Sequence, residues 1–119
     1  MASKPVMNEN PHSPMARLHY QHILDKALFQ ILENPLARET PGSRLRQYGM
    51  MVVVLDLVVR SEAITVSRIV TTTGMTRGAT EELLLVLVER GLLTATWSRN
   101  SVGRGKARIF ALAESADAQ

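Results

Sequence analysis

The sequence predicts a mainly helical α+β chain, with helices over most of its length and a small β-hairpin towards its end. Three observations carry this expectation. Apolar residues recur at helical spacing through the first third; two threonine-capped, glycine-ended helical stretches follow between positions 65 and 91; and after Gly91 the pattern changes to two short strand-like runs joined by a polar, glycine-containing link. At 119 residues the chain has the size of one domain with one core, burying roughly two thirds of the surface its unfolded form exposes.

Positions 1–12 are polar, contain Pro5 and Pro11 and show no periodicity, so they read as a disordered tail, and 115–119 is set apart as a carboxyl-terminal tail. Ser13 before Pro14 is a helix-start signal, because the serine oxygen caps free N–H groups and proline at the first helical position loses no bond. Leu18, Ile23, Leu24, Ala27, Leu28, Ile31 and Leu32 then recur at helical spacing, and Pro35 ends the helix after Asn34. The linker "PLARETPGS" leads to a second helix expected from about Arg44 to Arg60. Valines 52 to 54 favour a strand on intrinsic preference, but a segment this long with polar ends suits a buried helix better. The first two helices occupy an amino-terminal region, 13–62, ahead of a second region at 63–114.

In that second region a short extended piece falls at Ala63 and Ile64. A helix capped by Thr65 then runs through Val66, Ile69 and Val70 to Gly74. Thr76 caps "RGATEELLLVLVER", in which Thr80, Leu83, Leu84 and Leu87 share a face and Gly91 is the left-handed stop. "LLTATW" and "ARIFALA" are the strands.

Fourteen Lys and Arg against eleven Asp and Glu leave a net charge of +3, with a pI near 9.8. The excess is clustered: "WSRNSVGRGKARIF" carries Arg99, Arg104, Lys106 and Arg108 with no acid among them. A cationic hairpin with Gly103 and Gly105 near its tip suits a phosphate backbone and a narrow minor groove. The absence of cysteine excludes disulfides, thiolate catalysis, iron–sulfur clusters and the usual structural zinc sites. The apolar run 50–59 includes Asp56 and falls well short of the roughly 20 residues that cross a bilayer. The start of the chain has no apolar run of the secretory kind. A cytoplasmic protein without membrane contact is expected.

Two short capped helices separated by "TTTGMT", followed by a hairpin with a basic link, have the order of a winged helix-turn-helix. Residues 64–114 resemble the DNA-binding core of bacterial winged-helix transcriptional regulators, most closely the MarR-like group. "ITVSRIVTTTGMTRGAT", "LVERGLL" and "IFALAE" carry the resemblance, which covers about fifty residues. It implies that the helix at 77–90 enters a major groove of double-stranded DNA while the hairpin lies along the backbone or minor groove. It also implies a homodimer acting on a pseudo-palindromic operator, with the helix ahead of the winged core used for dimerisation.

On these grounds the DNA-binding set is Ser67, Arg68, Thr76, Arg77, Gly78, Thr80, Arg99, Asn100, Arg104, Lys106 and Arg108. Arg77 sits on the first turn of its helix, where it can reach guanine O6 and N7, and Gly78 lets the backbone approach phosphate. The hydroxyls of Thr71, Thr72, Thr73 and Thr76 add phosphate donors beside helix amino termini. The dimer interface is expected at Leu18, Ile23, Leu24, Ala27, Leu28 and Ile31.

Two features stand apart from this pattern. Glu81 and Glu82 lie on the helix meant for the groove, where a carboxylate is repelled by phosphate unless it accepts from cytosine N4. Leu83 to Val88 are six apolar residues in succession, so Leu85 and Val86 seek a further surface, which makes a protein partner there an alternative. The alternative function is accordingly a winged-helix protein-interaction module, such as an anti-activator or a plasmid maintenance factor. His19, His22 and Asp25 share a helical face but lack a further ligand, so they read as an exposed polar face or subunit contact, and no metal or other cofactor is expected. Asp56 is expected to point outward or pair with an arginine, and Trp97 to cover the hairpin base. No pattern of nucleophile and base, phosphate-cradling loop or paired carboxylates suggests an enzyme.

Overall fold

The structure, a computed structural model, describes residues 13–99 and 106–113. The expected tails, together with Asn100, Arg104 and position 114, lie outside the described residues. The chain is mainly helical with a small antiparallel sheet: α1 (Pro14–Glu33), α2 (Pro41–Val59), α3 (Val66–Thr73) and α4 (Arg77–Glu89), then β1 (Leu93–Arg99) and β2 (Lys106–Leu112).

Each helix begins where a hydroxyl satisfies an orphan N–H group. Ser13 Oγ accepts from the Ala16 N–H at 3.1 Å, and α1 ends at Glu33, one residue short of expectation. The second helix starts three residues earlier than expected because Thr40 and Ser43 form a reciprocal capping box with Pro41 at the first position. Valines 52 to 54 are helical, since Val54 is fully buried and packing outweighs the strand preference. Thr65 Oγ1 accepts from the Arg68 N–H at 3.1 Å to open α3. Thr76 Oγ1 accepts from the Ala79 N–H at 3.2 Å to open α4. Gly74 and Gly91 adopt φ of 79° and 82° after these helices, a region hostile to side chains.

Consecutive packing of α1 on α2, α2 on α4, α3 on α4 and α4 on β1 encloses one core. It is built from Ala27, Ile31, Met51, Val54, Leu57, Ile69, Leu84, Leu87, Leu93 and Phe110 with their buried neighbours, each large side chain contributing about 1.5–3 kcal/mol. Phe110 also ties the hairpin to the segment before α3, its N–H donating to the Ile64 carbonyl at 2.9 Å. Thus Ile64 is extended as expected, but as an isolated bridge.

The core corrects the expected dimer surface. Ile23, Ala27 and Ile31, spaced four apart, are 8%, 0% and 0% exposed inside the chain's own core, and Leu24 packs partly against it. None of the first three can meet a second subunit while α1 stays on α2. The outward side of α1 instead carries Leu18 and Leu28 together with Met15, Phe29 and Leu32, all exposed. Helical spacing revealed that α1 had an inward stripe, but apolar residues on both sides concealed which stripe it was.

A polar node that sequence reading missed lies at the carboxyl end of α4. The Arg90 side chain is 1% exposed and pairs with Glu39, itself 9% exposed, at 2.6 Å. Arg90 Nε donates to Gln47 Oε1 at 2.6 Å, and Nη1 donates to the carbonyls of Gln30 and Asn34, each at 2.9 Å. The guanidinium thereby satisfies carbonyls left over at the end of α1, where the helix dipole favours a cation. Glu39 also accepts from Gln47 Nε2 at 2.6 Å and from the Leu36 N–H at 2.9 Å. Burial alone would raise the Glu39 pKa, but the hydrogen bonds from Gln47 and Leu36 and the Arg90 charge outweigh it and hold the carboxyl below its ordinary value. Asp56, as expected, is exposed and pairs with Arg60 one turn on at 2.9 Å.

Candidate nucleic-acid interface

The site grows out of the hairpin register. Leu93 faces Leu112, Ala95 faces Phe110, and Trp97 faces Arg108. Side chains two apart share a face of a strand, so Trp97 and Arg108 continue outward from the face whose Leu93 and Phe110 fill the core. They overhang a cleft of about 340 Å³ whose other walls include Ser67 from α3 and Arg77 and Glu81 from α4. The hairpin and the first turns of α4 therefore open on a common side.

Within this cleft Arg108 lies between two partners. Its guanidinium carbon is 4.6 Å from the centroid of the Trp97 ring, and its Nη1 is 3.5 Å from Glu81 Oε2. The Arg108 and Glu81 side chains are 24% and 45% exposed. Exposed cation–π contacts contribute about 0.5–1 kcal/mol, and exposed ion pairs about 0–1. Neither holds Arg108 firmly. Trp97 does not cover the hairpin base: it is 60% exposed, because the register puts it two pairs beyond Ala95 and Phe110, where the hairpin last reaches the core.

The start of α4 places Arg77 and Gly78 on the surface. Arg77 Nη2 donates to Ser67 Oγ at 2.7 Å, which brings two of the expected contact residues together. Arg68 is exposed and lies 3.7 Å from Glu62. Thr76 is exposed but spends its oxygen on the helix cap. Thr80 corrects the expected set, being fully buried with its hydroxyl donating to the Thr76 carbonyl at 2.8 Å; it belongs to the stripe of Leu84 and Leu87 and cannot reach a ligand. Thr73 is similarly engaged, donating to the Ile69 carbonyl and accepting from the Met75 N–H, whereas Thr71 and Thr72 are exposed. Arg99 and Lys106 form the outermost described pair of the ladder. Their side chains, like Asn100 and Arg104, lie outside the described residues.

Comparison with protein-family models, with curated proteins and with solved structures finds no match. His19, His22 and Asp25 are exposed on α1, with Asp25 accepting from Gln21 Nε2 at 2.9 Å. Among the described residues no group of three or more histidines and carboxylates could hold a metal ion. No described helix is long and apolar enough to cross a membrane. Leu85 is 40% exposed, while Val86 is half-buried beside a groove that α4 shares with Arg46 and Gln47 of α2.

Proposed function

We propose that the chain is a cytoplasmic, homodimeric transcriptional regulator of the winged helix-turn-helix, MarR-like kind, binding double-stranded DNA at a pseudo-palindromic operator. The observation that carries this reading is the shared cleft, in which Arg77 on the first turn of α4 and Arg108 on the hairpin line one opening. A duplex lying across it would meet an arginine able to read guanine, the amino ends of two helices, and a cationic hairpin. Two such units related by a twofold axis read half-sites about one helical turn apart. Met15, Leu18, Leu28, Phe29 and Leu32 on the outward side of α1 supply an apolar face for that pairing.

The test is duplex selection followed by titration over a range of salt. Selected duplexes should contain an inverted repeat, and affinity should fall steeply as salt rises. Neutralising Arg104 and Lys106 together should weaken all sequences alike, and Arg77→Ala should relax preference at one base position by about 1–3 kcal/mol. Salt-insensitive binding, or none, would remove the reading. It would favour instead the interaction module, for which the exposed Leu85 beside Glu82 is the supporting feature.

A further inference from the structure

We propose that Glu81 determines specificity by exchanging partners: it holds Arg108 in the unbound protein and gives it up where a cytosine amine takes its place. The inference rests on the DNA-binding reading and adds a rule for when the hairpin charge is delivered.

Glu81 stands four residues after Arg77, so the two share a face of α4, and both line the cleft under the hairpin. Arg108 spans that cleft with the indole of Trp97 on one side and the Glu81 carboxylate on the other. An arginine does not lose its proton in a protein, so Glu81 offsets this charge for as long as the two stay paired, and its full attraction for a phosphate returns when the pair opens. The 3.5 Å separation and the partial exposure of both side chains make the change inexpensive for Arg108. For Glu81 it is not. Against a duplex of arbitrary sequence the abandoned carboxylate faces phosphates and acceptor edges, which repel it.

Two amines in the major groove can relieve it. The adenine amine stands beside the N7 acceptor of its own base, which repels a carboxylate, whereas cytosine N4 has no such neighbour. Where a cytosine lies under the second turn of α4, Glu81 is satisfied and Arg108 is free for the backbone. Elsewhere the pair stays closed, and one cation is withheld from non-specific DNA. A base is thus read by a carboxylate and reported through an arginine on another element.

The experiment compares the full-length wild type with Glu81→Gln, Arg108→Met and the double variant. Each is titrated with a selected duplex and a random duplex of equal length, and each is used for duplex selection. Glu81→Gln should bind random DNA more tightly, with a salt slope steeper by about 0.9 for each protomer engaged. It should also lose a roughly five- to 150-fold preference for one C·G pair in the selected half-site. In the Arg108→Met background, Glu81→Gln should leave the salt slope unchanged. Trp97 is the chain's single tryptophan, so its emission reports locally on the departure of Arg108 when cognate duplex is added. If the wild type binds with steep salt dependence but Glu81→Gln changes neither slope nor base preference, or acts equally without Arg108, this inference fails alone. If the wild type shows no salt-dependent binding, both it and the DNA-binding reading fall.

Discussion

The two ends of α4 are each held by an arginine, and the two are held in opposite ways. At the carboxyl end Arg90 is 1% exposed and bonded to Gln47, Glu39 and two main-chain carbonyls at 2.6–2.9 Å. Near the amino end Arg108 is 24% exposed, 3.5 Å from one carboxylate and stacked on an exposed indole. An enclosed charge with all three of its nitrogens engaged is committed, because withdrawing it would strand buried acceptors. A half-open charge with one distant partner can trade that partner for another at little cost. Arg90 therefore belongs to the architecture that aims α4, and Arg108 to the surface that α4 presents.

The strongest way to break this contrast is to truncate both arginines. Arg90→Met leaves the Glu39 carboxylate buried without its cation and the Gln30 and Asn34 carbonyls without their donor. The expected loss is about 3–5 kcal/mol, a large share of the roughly 5–15 kcal/mol available to a domain. Arg108→Met should cost under about 1 kcal/mol. Urea unfolding midpoints decide the matter, and equal shifts for the two variants would erase the distinction between committed and exchangeable charge.

A smaller effect sharpens the same contrast through pH. Glu39 is held below a glutamate's ordinary value of 4.5 in the folded chain. Its contribution to stability is then complete above the unfolded pKa and lost as pH falls through the folded one. Unfolding free energy should decline on acidification below the ordinary carboxylate range, and Glu39→Gln, though less stable at neutral pH, should show a shallower decline there. Parallel acid limbs for the two proteins would mean that the node carries no proton linkage.

What could be read from the sequence was what is local. Ser13 with Pro14, Thr65, Thr76, Gly74 and Gly91 act on residues within a turn of themselves, so the helix limits they set were visible in advance. Thr40 with Pro41 is the same signal as Ser13 with Pro14, but it stands in a proline- and glycine-bearing link that read as a loop. Arg90 was out of reach because its partners lie 43 to 60 residues away. At the candidate site, Arg77, Gly78 and Ser67 were legible as a capped helix start and its neighbour. The engagement of Arg108 by Glu81 was not, since it depends on strand register, and a link of unknown geometry leaves register open. Thr80 shows how two local signals can compete: a hydroxyl near a helix start suggested a phosphate, while its spacing from Leu84 and Leu87 put it in the core, and burial won.

The mildest test concerns Gly78, the second residue of α4, where the fold gives no reason for a glycine. A Cβ built there meets nothing within 4 Å, and its φ does not lie in the left-handed region. Alanine is the better helix former by up to about 1 kcal/mol, and less in a first turn, so Gly78→Ala should hold or slightly raise the melting temperature. If the amino end of α4 meets a phosphate backbone closely, the added methyl group stands in the way and affinity for every duplex should fall. Stability and binding would then move in opposite directions at one exposed position, which a purely architectural glycine cannot do. Unchanged binding by a protein at least as stable as the wild type would show that the close approach is made elsewhere along the helix.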